Sequence, residues 1–267
     1  MKKLSIITIN YNNKKGLQKT IDSVITQTFQ DFEWIIIDGG STDGSKELIE
    51  QYSQHITYWV SEPDKGIYHA MNKGIRVAQG EYLNFLNSGD IYYNKVVLYQ
   101  FSLTKNKADF ICGNTLFSNK ETSFIIESPA FISSRYILFK SINHQSSFIK
   151  TSILKNKEYN ENYKIVSDWE FMYKYIITSN YSYHKLNFVV ANYNMDGISS
   201  INNSLLIQEK SIVIANTFDL ITYKIIRGDT ELEKMLFPIK PSSQVYKFIT
   251  FIVKVILSIN YKLHKYL

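Results

Sequence analysis

Three clusters of polar residues, each directly after an apolar run, carry groups that suit a sugar, a ribose and a divalent cation. Residues 4–9 run into Asn-Tyr-Asn at 10–12, and residues 34–37 run into Asp-Gly-Gly-Ser-Thr-Asp-Gly at 38–44. Residues 82–86 run into Asn-Ser-Gly-Asp at 87–90. If the apolar runs are parallel strands, the clusters meet at the carboxyl edge of one sheet, where open α/β sheets bind their ligands.

The segments between these clusters predict the elements that position them. Apolar residues recur at helical spacing in residues 15–28, 43–52 and 67–79, and a short strand pattern covers residues 56–60. Ser, Thr and Asp at 41–43 supply capping groups for the second of these helices. The alternation of strand and helix predicts an α/β fold with a mostly parallel, Rossmann-like sheet flanked by helices.

Beyond residue 100 the predicted elements become shorter. We predict strands at residues 108–112, 114–117, 123–126, 146–149 and 186–192, and a helix at residues 167–178. From residue 203 onward the pattern is helical, with a break at the prolines of residues 237–241. We therefore divide the chain into residues 1–100, residues 101–200 and a helical C-terminal extension at 201–267.

Composition excludes several classes of protein. The single cysteine, Cys112, rules out an intramolecular disulfide and fits a reducing compartment, so we expect a cytoplasmic protein. Only about six apolar residues follow the first lysines, which is too short a run for a signal peptide. The first strand is not followed by a Gly-x-Gly-x-x-Gly motif, which argues against a Rossmann dehydrogenase, and no phosphate-binding P-loop motif is present.

The positive charge is concentrated at the C-terminus. Residues 240–267 contain five lysines and no acidic residue, within a net charge of +6 for the whole chain. On a helix, these lysines form one narrow stripe and aliphatic residues cover the rest. Two interpretations stay open: a helix lying on an anionic membrane surface, at the inner face of the cell membrane, or a helix packed on its own domain. A charge confined to such a tail does not suit nucleic-acid binding.

The motifs in the first half resemble the opening of family 2 glycosyltransferases. The resemblance rests on the first two clusters above and on four further segments: Gln-Thr-Phe at 27–29, Asp-Lys-Gly-Ile-Tyr at 64–68, Ala-Met-Asn-Lys-Gly at 70–74 and Gly-Glu-Tyr at 80–82. It covers roughly residues 3–195 and implies the GT-A (nucleotide-diphospho-sugar transferase) fold and an inverting mechanism. By this resemblance, residues 1–100 bind the nucleotide-sugar and residues 101–200 bind the acceptor.

The resemblance also implies roles along the nucleotide donor. It places Thr8 and Tyr11 along the base and ribose, and Asp38 at the base or ribose. The family usually has a second acid after Asp38, but this chain has Gly39 there, which puts uracil selectivity in doubt. Asn72 and Lys73, on the third predicted helix, are further donor-binding candidates. A turn or cap role for Asp38 and a solvated surface position for Lys73 are the competing interpretations.

The metal site and the catalytic base follow from the same resemblance. The family's Asp-x-Asp segment corresponds to residues 87–89 here, so Asp90 is the one carboxylate left for a Mn²⁺ or Mg²⁺ ion, with the Asn87 amide beside it. Asp168 matches the catalytic base, although Ser167 replaces the usual Glu, and Glu170 is the second choice. His144 and Gln145 match a segment near the diphosphate or acceptor.

These assignments predict transfer of a hexose or N-acetylhexosamine to a hydroxyl of a surface glycan or glycolipid, of the capsule or lipopolysaccharide kind. A UDP-sugar is favoured as donor, with GDP- and dTDP-sugars as alternatives. The prediction that the acceptor is lipid-linked is based only on the basic C-terminal segment. The competing hypothesis is a nucleotide- or glycan-binding module that has lost catalysis with its altered metal motif.

Overall fold

The structure is a computed structural model that describes residues 2–178, 181–195 and 203–217. Within these residues one sheet contains nine strands, in the order β3-β2-β1-β4-β8-β6-β9-β5, with β7 paired to β6. The strands are β1 (Leu4–Asn10), β2 (Glu33–Asp38), β3 (Tyr58–Ser61), β4 (Tyr82–Phe85), β5 (Ile91–Tyr92), β6 (Phe110–Ser118), β7 (Ser123–Ile126), β8 (Ser147–Lys150) and β9 (Tyr183–Asn194).

Helices cover both faces of this sheet. In the described part of the chain they are α1 (Lys14–Ile25), α2 (Ser45–Gln51), α3 (Ile67–Val77), α4 (Val97–Ser102), α5 (Ser134–Phe139), α6 (Thr151–Asn156), α7 (Ser167–Thr178) and α8 (Asn203–Thr217). Two clusters of buried apolar side chains, one on each face, form the core.

The first four strands position the polar clusters as the sequence predicts. β1 pairs in parallel with β2 and with β4, and β2 pairs in parallel with β3. Every residue of β1 and β2 is buried because helices cover both faces, as expected for central strands of a parallel sheet. The residues that follow these strands therefore meet at one edge, and the predicted α/β fold is confirmed.

The second half differs from the prediction at one strand. The two strands predicted at residues 108–112 and 114–117 are one strand, β6, which begins at Phe110, so that prediction was wrong. The pairing register between β6 and β9 shifts around Gly113. A side chain does not fit at this position, since an added Cβ would lie 2.5 Å from Val190 Cγ2. A bulge of this kind interrupts the apolar pattern without ending the strand. The short elements β5, α4, α5 and α6 were missed because so few residues show no clear periodicity.

The C-terminal extension begins as predicted and contacts the main domain. Helix α8 lies against α7, and the Lys210 ammonium sits 4.7 Å from the centre of the Trp169 ring. No helix among the described residues is both long and apolar enough to cross a membrane. The basic stretch of residues 240–267 lies outside the described residues.

A buried carboxylate fastens the amino ends of the central strands, opposite the polar edge. Glu33, at the start of β2, is 7% exposed and accepts a hydrogen bond of 2.8 Å from the Gly80 amide. It also accepts from the Ser5 hydroxyl and the Gln79 amide. One side chain therefore joins β1, β2 and the turn before β4, and its loss would remove the acceptor of the buried Ser5 hydroxyl and of the Gln79 amide, and one of two acceptors of the Gly80 amide.

We expect Glu33→Ala to lower the free energy of unfolding by about 3 kcal/mol, because buried unpaired donors are costly. Urea denaturation followed by circular dichroism measures this. The matched control is Asp31→Ala, which removes an exposed ion pair with Lys2 and should cost less than about 1 kcal/mol. Equal, small losses for both variants would contradict the role given to Glu33.

Candidate active site

A cleft of about 800 Å³ opens at the carboxyl edge of the parallel strands. Its walls come from the segments after β1, β2, β3 and β4 and from three later segments of the chain. The later segments contribute His144 and Gln145, then Lys164, Ile165 and Asp168 around the start of α7, and residues 193–194 at the end of β9. Both halves of the chain therefore contribute to one site.

Asp168, the predicted base, lies in the first turn of α7 and is held at both oxygens. Oδ1 accepts a 2.8 Å hydrogen bond from the Tyr68 hydroxyl, and Oδ2 lies 2.9 Å from His144 Nδ1. Burial alone would raise the pKa of Asp168, but the hydrogen bonds and charge of His144, together with Tyr68, hold that pKa below its usual range. The side chain is still 21% exposed, so an ionised carboxylate remains accessible from the cleft.

His144 connects this base to the predicted metal loop. An ionised carboxylate only accepts hydrogen bonds, so His144 Nδ1 is the protonated ring nitrogen and donates a hydrogen bond to Asp168. The other ring nitrogen, Nε2, lies 3.1 Å from Asn87 Nδ2, in the loop after β4. Asn84, buried within β4, donates to the carbonyls of His144, Gln145 and Ser147 at 3.0–3.3 Å and so fixes this segment. No sequence pattern marks Asn84, which looks like an ordinary strand residue.

Asp90 lies on the floor of the same cleft, 5% exposed. Burial raises its pKa to about 6, against weaker opposing effects that include the Asn194 amide and the Gln145 side chain. The Asn194 amide donates to Oδ1 at 2.9 Å and Gln145 Nε2 donates to Oδ2 at 3.1 Å. Gln145 therefore contacts Asp90, which places these two predicted site residues together.

The residues around Asp90 are compatible with a hard cation. Asn87 Oδ1 is buried and has no hydrogen-bond partner among the described residues, so two oxygen donors, from Asn87 and Asp90, line the cleft. The described residues contain no cluster of three or more acidic, histidine or cysteine side chains that would form a complete metal site. A Mg²⁺ or Mn²⁺ ion that takes its remaining ligands from substrate phosphates and water fits this donor set.

Of the three predicted nucleotide residues near β1 and β2, only Tyr11 lines the cleft, with its ring 68% exposed. Thr8 is fully buried within β1 and accepts a hydrogen bond from Trp34 Nε1 at 3.1 Å. Asp38 is also fully buried. Its carboxylate accepts from Asn10, Ser41 and Ser61, and these bonds outweigh burial and lower its pKa. In this structure Asp38 holds the loop after β2; its predicted contact with a nucleotide stays a prediction.

The two predicted donor-binding residues of α3 are engaged with the protein itself. Asn72 is buried and exchanges hydrogen bonds of 2.9 Å with the backbone of Tyr159. The Lys73 ammonium lies 2.6 Å from Asp64 and 2.7 Å from Glu62 and is not among the residues that line the cleft. Asp64 does line the cleft and was missed as a site residue, although it lies in one of the motifs that carried the resemblance.

The sheet, the cleft and the position of its carboxylates define a GT-A glycosyltransferase fold. The structure of S. aureus TarS in complex with UDP-GlcNAc matches with a TM-score of 0.66 and 19% identity, over 86% of this chain and 71% of that one. A mannosyltransferase from Pyrobaculum calidifontis, in complex with GDP-Man and Mn²⁺, matches with a TM-score of 0.57 and 15% identity, over 72% and 56% of the two chains.

The sequence comparison names the family. The profile of "Glycosyl transferase family 2" matches residues 5–186, more than half of the chain, so this chain belongs to glycosyl transferase family 2. A PGL/p-HBAD biosynthesis glycosyltransferase of Mycobacterium bovis is 28% identical over 212 residues, which is 77% of this chain and 81% of that protein. An uncharacterized glycosyltransferase of Mycobacterium tuberculosis is 43% identical over 98 residues, 36% and 37% of the two chains.

Because Asp90 is buried, removing its charge should stabilise the folded protein by an amount that depends on pH. Folding raises its pKa from 3.8 to about 6, so the stabilisation it provides is complete below 3.8 and is lost as the pH rises through 6. In metal-free protein, we expect Asp90→Asn to raise the free energy of unfolding by about 2 kcal/mol more at pH 8 than at pH 4. Urea denaturation at both pH values measures this, and a difference that does not change with pH would contradict it.

Proposed function

We propose that this chain transfers a sugar from a nucleotide-diphospho-sugar to a hydroxyl group, with inversion at the anomeric carbon. The observation that supports this most directly is the ionised Asp168 carboxylate, which is held by His144 and Tyr68 in the same cleft as Asp90. The UDP-GlcNAc and GDP-Man in the complexes of the two structural neighbours support a nucleotide-sugar donor. A UDP-sugar is the favoured donor, and GDP- and dTDP-sugars are the alternatives.

In this proposal Asp168 is the general base. An acceptor hydroxyl at the open part of the cleft gives its proton to the Asp168 carboxylate as its oxygen attacks the anomeric carbon. The nucleoside diphosphate leaves from the opposite side, so a single displacement inverts the configuration. His144 and Tyr68 fix both carboxylate oxygens and keep the carboxylate ionised, so little reorganisation is needed when the acceptor arrives.

Asp90 and Asn87 are the residues that would hold a divalent cation. Such a cation supplies positive charge that offsets the negative charge on the departing diphosphate. Gln145 and the Asn194 amide orient the Asp90 carboxylate through their hydrogen bonds. The Mn²⁺ in the complex of the Pyrobaculum mannosyltransferase supports this assignment.

The acceptor we propose is a surface glycan or glycolipid, reached at the inner face of the cell membrane. The support is the basic, aliphatic composition of residues 240–267, which suits an anionic lipid surface. Removing these residues should abolish sedimentation with vesicles that contain phosphatidylglycerol, while vesicles of phosphatidylcholine alone serve as the control. Equal sedimentation of the full chain and the truncated chain would contradict membrane binding by this segment.

The base assignment predicts that Asp168→Asn lowers kcat for donor turnover by about 10²–10⁴-fold, because proton abstraction is lost. Binding of the nucleoside diphosphate should stay close to that of the wild type. The matched control is Glu170→Gln, two residues further along α7, whose carboxylate is buried and pairs with Lys174 at 2.6 Å. Turnover that survives in Asp168→Asn but is lost in Glu170→Gln would assign the base to Glu170 instead.

The metal assignment predicts that UDP binds more tightly in the presence of Mn²⁺ and that Asp90→Ala removes this gain. We expect the variant to lose at least about tenfold in metal-dependent affinity, since even side chains outside the ligand shell contribute that much. Isothermal titration of UDP, with Mn²⁺ and with excess EDTA, measures both effects. Identical Mn²⁺ dependence in the wild type and the variant would exclude Asp90 as a ligand.

A further inference from the structure

The cleft contains a carboxylate oxygen, Oδ2 of Asp64, that accepts no hydrogen bond from the part of the chain that the structure describes. Asp64, in the loop after β3, uses its Oδ1 to contact Lys73 Nζ at 2.6 Å and His69 Nδ1 at 3.1 Å. Among the described residues no donor forms a hydrogen bond to Oδ2, and the side chain is only 10% exposed. Because Lys73 and His69 hold Oδ1 in place, Oδ2 is a fixed acceptor available to a ligand in the cleft.

Gly39 brings this oxygen next to an exposed aromatic ring. A Cβ at position 39 would lie 3.1 Å from Tyr11 Cδ2 and 3.2 Å from Asp64 Oδ2, so a side chain there would press against both. The absence of a side chain lets the Tyr11 ring and the Asp64 carboxylate approach the same point. An aromatic face beside a fixed acceptor is suited to a flat, heteroaromatic ring that carries an N–H group at its edge.

The position of Asp64 relative to Asp90 fits an extended ligand. Asp64 Oδ2 lies beside position 39, at the end of β2, and Asp90 follows β4, two positions away in the strand order β3-β2-β1-β4. At the usual strand spacing this is roughly 10 Å. A ligand with its diphosphate near Asp90 and its nucleoside beside Tyr11 and Asp64 would span this distance.

We propose that Asp64 Oδ2 selects the nucleobase of the donor by accepting a hydrogen bond from a ring N–H. This inference rests on the proposed function, since it assumes a nucleotide donor in the cleft. Uracil and thymine carry such an N–H at N3, and guanine carries one at N1. Cytosine and adenine present a lone pair at the corresponding ring nitrogen, which the carboxylate repels. Asp64 thus supplies, from the loop after β3, the acidic group that position 39 lacks.

The test is a titration of the full chain with UDP, dTDP, GDP, CDP and ADP in the presence of Mn²⁺, together with UDP methylated at N3. We expect UDP to bind about 10- to 100-fold more tightly than CDP and than N3-methyl-UDP, the value of one charge-assisted hydrogen bond. Asp64→Asn should reduce both ratios to within a few-fold of one. The control variant Glu62→Gln, which removes the other, exposed carboxylate that contacts Lys73, should keep them.

The possible results distinguish a failure of the role given to Asp64 from a failure of the proposed function. Nucleotide binding with no preference among bases, or with N3-methyl-UDP as tight as UDP, would overturn the role of Asp64 and leave the donor site intact. A preference that survives in Asp64→Asn would also overturn it. If no nucleotide binds the wild type, the proposed function fails and this inference fails with it. The comparison of UDP with its N3-methyl form uses the wild type alone, so it does not depend on how any variant folds.

Discussion

The hydrogen bond between His144 Nδ1 and Asp168 Oδ2 is the contact on which the active site depends. It joins a residue just before β8 to a residue at the start of α7, and the opposite nitrogen of the same ring reaches Asn87 after β4. A buried carboxylate without these partners would bind a proton, because burial opposes its charge. With them the carboxylate stays ionised. The His144 ring thus connects Asp168 to Asn87 in the first half of the chain, and its hydrogen bond to Asp168 maintains the charge state that the proposed chemistry requires.

The two key carboxylates have opposite environments within one cleft. Asp168 receives hydrogen bonds from an imidazole and a phenol, and its pKa is lowered. Asp90 is more deeply buried, its contacts with Gln145 and the Asn194 amide do not compensate for burial, and its pKa is raised to about 6. Opposite shifts of neighbouring acids separate their functions. Here they distinguish a group that is ready to accept a proton from one whose charge a bound cation would stabilise.

The sequence was sufficient to predict the parallel half of the fold. Its strands are buried and apolar, its helices are long enough to show their period, and the turns between them carry characteristic residues. The single strand β6 was not predictable, because a bulge at Gly113 that depends on the distant Val190 looks like a break in the sequence. Pairing between strands far apart in the chain leaves little trace in local pattern.

The candidate site was predicted in part, and the gaps have a common cause. Asp90, Asp168, His144 and Gln145 were named from motifs and do meet in the cleft. The supporting residues Tyr68 and Asn84 were missed, because a hydrogen bond across 100 residues, such as that from Tyr68 to Asp168, has no local signature. Lys73 was named as a donor-binding candidate, and its ammonium contacts Asp64, a pairing that no local pattern in the sequence indicates.

The most direct test of this account is a crystal structure of the chain with Mn²⁺ and a UDP-sugar analogue that cannot be cleaved. We expect the diphosphate and the cation at Asp90, the base between Tyr11 and Asp64, and the anomeric carbon on the side of Asp168. A nucleotide bound in the reverse direction, or outside this cleft, would contradict it.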